Sequence, residues 1–208
     1  MTAAARAETA RLPLTVIADE TMRDLDLRTP PGGEPPLAGP GVIQIGSASK
    51  TVWSGLRVGW IRARADLVRE LRANPLQAQL SPPPLEQLIA CELLGDGLAA
   101  VLTDRRSRLR AQRDHLAAHL DVLLDGTAGT YDLPDGGLTI RLHLGTATRA
   151  ADLTARAARH GLALTPGPHF AADRTTLAHH LRLPFTAGPE ALTRAVGLLR
   201  RCLAEPSL

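Results

Sequence analysis

Residues 41–60, GVIQIGSASKTVWSGLRVGW, constrain this chain more than any other stretch. Residues 42–46 are short, rich in β-branched side chains and end on glycine, which predicts a buried strand running into a turn. Ser47, Ser49 and Lys50 then fall in that turn, and Arg57 follows a second turn at Ser54-Gly55. Lys50 is the only lysine, so of 24 Lys and Arg residues together the other 23 are Arg. Arginine stays protonated at any relevant pH, whereas a lysine amine can lose its proton and attack a carbonyl carbon. The plain alternative is one lysine left over in an Arg-rich composition. Small hydroxyls, turn amides and a guanidinium fork beside that amine make a seat for a phosphate.

An amine next to a phosphate seat is what a pyridoxal-phosphate protein needs. The string S-x-S-K-x-x-x-x-G-L-R-x-G-W, residues 47–60, resembles the lysine segment of fold-type I pyridoxal-phosphate-dependent aminotransferases. It is most similar to the aminotransferase-like half of MocR-type regulators. The resemblance implies that Lys50 holds pyridoxal 5'-phosphate as a Schiff base, with Ser47, Ser49 and Arg57 around its phosphate. Residues 13–20, PLTVIADE, read as another strand ending in acid, and ligands of open α/β sheets bind beyond such strand ends. In the family an Asp at this point pairs with the pyridinium nitrogen, and Asp19 matches it. An N-cap or surface acid is the plainer reading of Asp19. One departure follows: many relatives have Asp-x-x-Tyr here, and this chain has Met22, which has no donor for the cofactor's phenolic oxygen. The only asparagine, Asn74, is misplaced for the family's other bond to that oxygen.

With 208 residues and 44% hydrophobic content the chain can bury a core, built mainly from Leu, Ala and Val because aromatics are only 2%. No apolar run of about 18 residues occurs, which argues against a membrane span. Residues 1–11 read as a frayed Ala-rich helix rather than a signal peptide. Cys91 and Cys202 fit no C-x-x-C spacing, which favours reduced thiols and a cytoplasmic setting. Net charge is only +3 with the arginines dispersed, so direct nucleic-acid binding by this chain is not expected.

Residues 28–41 are loop by their Pro and Gly content, residues 58–63 a third strand and residues 66–73 a short helix. After Ser81 and three prolines, where Ser81 is a candidate N-cap, helical spacing covers 85–94 and 98–124. Leu102, Leu109, Leu116, Leu120 and Leu124 share one face of the second helix, with Arg105, Arg106, Arg108, Arg110 and Arg113 assigned to a solvated opposite face. His115 and His119 lie four apart but lack a third ligand, so no metal site is assigned there. Residues 137–144 alternate as a half-buried strand, 149–160 and 189–203 are helical, 162–170 read as a strand and turn, and 178–186 as another strand. In that last strand His179 and His180 face opposite sides.

This last part resembles the small C-terminal domain of the same family through P-x-G-G at 134–137, L-x-P-G-x-x-F at 164–170 and L-R-L-x-F at 181–185. Arg182 matches the arginine that clamps the substrate's α-carboxylate in relatives, a task suited to a bidentate fork. The fold expected is α/β. Residues 1–78 form about three strands of a large-domain sheet, and 79–125 form connecting helices. Residues 126–208 form a small α+β domain. The family's first half-domain and winged helix have no counterpart, so the expectation is an incomplete domain, with a homodimer or a complementing N-terminal half as partner. Three functions remain open: an aminotransferase acting on amino acids and 2-oxo acids, an effector-binding half of a regulator, or an inactive remnant.

Overall fold

The computed structural model describes residues 14–32, 35–39, 41–74, 83–95, 97–173 and 176–205. The chain divides into two compact units, one up to Arg106 and one from Ser107 onward. The readings of residues 1–11 and of Ser81 fall outside the described residues.

In the first unit the strands are β1 (Val16–Asp19), β2 (Val42–Ser47) and β3 (Gly59–Arg62). The helices are α1 (Ala48–Thr51), α2 (Ala65–Ala73), α3 (Pro84–Leu94) and the start of α4 (Leu98–Leu124). The sheet has the order β1-β2-β3, with β1 parallel and β3 antiparallel to β2. The Pro-rich connection between β1 and β2 is strapped down at Leu37. Its amide donates to the Glu20 carboxylate at 3.0 Å, and its carbonyl accepts from the buried Gln44 amide at 2.6 Å. Gln44 is the buried polar side chain of β2, and the strap is its hydrogen-bond partner. Gly46 pairs with Trp60, whose indole covers it so closely that any Cβ there would meet the ring. Among the described residues β1 and β3 pair with β2 alone, and Ile17, Trp60 and Ile61 stay exposed.

The second unit is an antiparallel sheet of β4 (Thr130–Asp132), β5 (Thr139–His143) and β6 (His180–Pro184), in that order. Helices α5 (Ala150–Arg159) and α6 (Pro189–Ala204) accompany it. The alternation expected of residues 137–144 is observed: Ile140 and Leu142 are fully buried, and Arg141 between them is exposed. Leu181 and Leu183 are buried in the same way on β6, and with Phe185 just beyond it and Leu153, Ala157, Leu192, Val196 and Leu199 they form the core. At about 1.5–3 kcal/mol for each large apolar side chain fully buried, this core is the main stabilising term of the unit.

Four expectations need correction. Residues 162–166 are not a strand, because Pro166 makes only an isolated bridge to Leu181 before a 3-10 turn at Gly167–Phe170. Gly167 is required there, since a Cβ would press on the carbonyl oxygens of Leu177 and His180. The apolar stripe of α4 ends on the buried Leu123 rather than on Leu124. His179 lies in a turn just before β6, so both it and His180 approach the His143 ring, at 6.5 and 4.8 Å between centroids. Finally, three of the α4 arginines do not belong to a solvated face. Arg105, Arg106 and Arg113 donate to the main-chain carbonyls of Lys50, Asp24 and Pro134. Nothing in the sequence marked the short β4, whose Asp132 carboxylate takes a 2.7 Å bond from Arg141.

Among the described residues no helix is long and apolar enough to cross a membrane.

Candidate functional site

The lysine turn is built as the loop of a β2–β3 hairpin. Ser47 pairs with Gly59, the Ala48 amide donates to the Val58 carbonyl at 2.9 Å, and the residues between close as α1 and a tight turn. The turn closes through Leu56, whose amide donates to the Trp53 carbonyl at 3.0 Å. Ala48 and Leu56, both fully buried, pack on Ala90 of α3, with Val58, Leu93 and Leu94 around them. The Ser49 hydroxyl donates to the Leu56 carbonyl across the loop. Arg105 donates to the Lys50 carbonyl at 3.1 Å. The main chain at Lys50 is therefore held by packing below and by hydrogen bonds on two sides. Its side chain is exposed, and no described residue is bonded to its amine.

The parallel register of β1 and β2, with Asp19 opposite Ile45, brings the carboxyl ends of the two strands level. Asp19, Ser47 and the Lys50 turn consequently leave the sheet from one edge, where ligands of open α/β sheets bind. The Asp19 carboxylate accepts a 3.0 Å bond from the Thr21 amide. The Thr21 side chain and amide hold the Asp19 carboxyl below the usual carboxylate range, so it is ionised at neutral pH. Met22 lies in the same turn, and its carbonyl accepts from the Leu25 amide. Arg57 is exposed, one residue before the Val58 carbonyl that Ala48 binds, and no carboxylate is paired with it among the described residues. Ser47 has no side-chain capping bond to α1. Ser49 differs from its neighbours because its hydroxyl hydrogen is already committed to Leu56. One contributor escaped the sequence reading, Arg105, hidden in an arginine-rich helix; Trp60 is part of the motif, but its pairing with Gly46 is revealed only by the strand register.

Arg182 belongs to the second unit. It projects from the solvent side of β6 opposite Arg141, and its guanidinium lies 4.3 Å from the centre of the Phe170 ring. That stacking preorganises the fork. It also joins two of the sequence motifs in space, since Pro166 bridges Leu181 and Phe170 meets Arg182.

No family model matches the chain. Several curated proteins do. The 2-aminoadipate transaminase of Thermus thermophilus is 31% identical over 165 residues, which are 79% of this chain and 41% of that enzyme. An HTH-type transcriptional regulator of Bacillus subtilis, YdfD, is 27% identical over 169 residues, 79% of this chain and 34% of the regulator. Among solved structures, the α-aminoadipate aminotransferase LysN of Thermus thermophilus, complexed with N-(5'-phosphopyridoxyl)-L-leucine, superposes with a TM-score of 0.83 at 27% identity. That superposition covers 97% of this chain and 54% of LysN. An archaeal alanine:glyoxylate aminotransferase shares the fold, with a TM-score of 0.84 at 21% identity. The chain thus spans less than half the length of these curated relatives and about half of the solved ones. Its homologues are aminotransferases and MocR-type regulators, and its fold is that of the fold-type I pyridoxal-phosphate aminotransferases.

Proposed function

We propose that this chain binds pyridoxal 5'-phosphate through Lys50 and acts on amino acids and 2-oxo acids as an aminotransferase-type protein. The Lys50 turn carries the reading: its backbone is fixed by Arg105, Ser49 and the Leu56 packing while its amine is left unengaged. The donor set suits a phosphorylated pyridine aldehyde, with an amine for the carbonyl, an ionised carboxylate for the ring nitrogen and an unpaired guanidinium for the phosphate. When bound, that group supplies an electron sink for the carbon bearing the amino group. Lys50 would attach it covalently, and its Nζ would then take and return a proton at the reacting carbon. Asp19 would keep the ring nitrogen protonated, the ionisation imposed by Thr21 being what this requires. Ser47 and Arg57 would donate to the phosphate, whereas Ser49 would do so only by giving up Leu56. Arg182 would take the α-carboxylate, its fork presented flat by Phe170. The exposed Ile17, Trp60 and Ile61 support a covering partner, either a second copy or a complementing chain segment.

A second reading has one specific support. With Met22 in place of a hydrogen-bonding tyrosine, the attached cofactor lacks a donor that tunes its pKa, which suits effector sensing in a regulator more than turnover. Incubation with pyridoxal phosphate, then with an amino acid, tests both. A visible absorbance band that is lost in Lys50→Ala, followed by 2-oxo acid release, supports the enzyme. The band without release supports the regulator. No band in the parent protein refutes both.

A further inference from the structure

Helices α5 and α6 end side by side. His160 caps α5, Cys202 lies in the last turn of α6, and Glu205 caps α6. The His160 Nε2 is 2.7 Å from Glu205 Oε1, and the ligand atoms of His160, Cys202 and Glu205 all lie within 4.8 Å of one another. A nitrogen from the end of α5 thus meets a sulfur and an oxygen that lie three residues apart at the end of α6. Two helix C-termini also direct their partial negative charge to this point, which favours a cation.

We propose that His160, Cys202 and Glu205 form a zinc site, with solvent as the fourth ligand. Zinc is chosen over calcium or magnesium because it accepts thiolate, imidazole and carboxylate together. Tetrahedral bonds of about 2.0–2.3 Å set ligand atoms roughly 3.3–3.8 Å apart, so the His160–Glu205 contact of 2.7 Å opens by about 0.6 Å as the metal replaces the hydrogen bond. On binding, the Cys202 S–H bond breaks, its proton leaves to solvent and an S–Zn bond forms. His160 enters as the neutral imidazole with its hydrogen on Nδ1. Because the Cys202 thiol must lose its proton to bind, metal uptake becomes tighter as pH rises. Two guanidiniums oppose the divalent charge, but each is already engaged. Arg156 donates to the Cys202 carbonyl at 3.0 Å, and Arg159 approaches the other Glu205 oxygen at 3.7 Å. The thiolate made on binding offsets one of them.

The test uses the full chain, freed of metal, with the exposed Cys91 replaced by serine. Cobalt(II) titration should give a near-ultraviolet thiolate-to-metal band saturating at one ion per chain, and equimolar zinc should bleach it. Zinc should also raise the melting temperature. Cys202→Ser should abolish the band, and His160→Gln and Glu205→Gln should weaken binding about tenfold or more. These last two change exposed or half-buried caps, so they decide the matter if Cys202→Ser fails to fold. The proposal is overturned by absence of the band, by its persistence in all three variants, or by its loss in His115→Gln.

Discussion

Leu56→Ala links the packing beneath the lysine to the chemistry above it. Leu56 is fully buried against Ala48 and Ala90, and its carbonyl receives the Ser49 hydroxyl. Truncation removes three carbon groups at about 0.8 kcal/mol each, or about 2.4 kcal/mol of transfer energy. Because the two nearest walls are alanines, they offer little side chain to fill the space, and a cavity term raises the total to about 3–4 kcal/mol. The two tryptophans, Trp53 and Trp60, both flank this hairpin, so urea unfolding followed by tryptophan fluorescence reports on the first unit alone. The same variant should bind pyridoxal phosphate roughly tenfold more weakly, since the Lys50 backbone loses its seat. A fluorescence midpoint within about 0.5 kcal/mol of the parent would refute the claim that this cluster holds the turn.

Gly46→Val should cost about 1–3 kcal/mol and red-shift tryptophan emission, because the new side chain must evict the Trp60 indole. Arg28 binds the Asp26 carboxylate at 2.7 Å and holds its pKa down to about 2. Unfolded Asp26 takes up a proton near pH 4, so its stabilising contribution is complete above about pH 4 and is lost as pH falls through about 2. An acid titration followed by fluorescence should show this, and Asp26→Asn should flatten it. Arg182→Lys, which loses the bidentate fork, should raise KM for the amino acid by roughly ten- to a hundredfold, about 1.5–3 kcal/mol, while leaving cofactor affinity unchanged in an equilibrium titration.

Local patterns carried most of the fold. The strand at 42–46 was legible because β-branched residues run into glycine, and α6 because its apolar spacing starts at a proline. The alternation at 137–144 announced a sheet with one wet face, and β5 is that strand. Failures came where tertiary contacts outweighed local preference. Residues 162–166 look extended, yet Pro166 has no amide to give a ladder and the segment turns at Gly167. Arginine was misread because periodicity treats it as a surface residue, whereas Arg105, Arg106 and Arg113 spend guanidinium donors on carbonyls far along the chain. Arg156 is the extreme case, buried with its Nε on Cys202. In the candidate site, residue types and spacing picked out Asp19, Ser47 and Lys50, and the strand register explains why three separated residues share one sheet edge. That Ser49 serves the loop itself was not legible, because its partner, the Leu56 carbonyl, is main chain.

The central claim is that one amine, held rigid at its backbone and open at its tip, is the attachment point for a carbonyl cofactor. Lys50 is the only lysine, so the N-terminal amine is its sole amine competitor. Incubating the chain with pyridoxal phosphate, reducing with borohydride and mapping the product by peptide mass spectrometry reads the attachment directly. A phosphopyridoxyl group on Lys50 is the predicted result; a group on the N-terminal amine alone, or no adduct, would contradict the account.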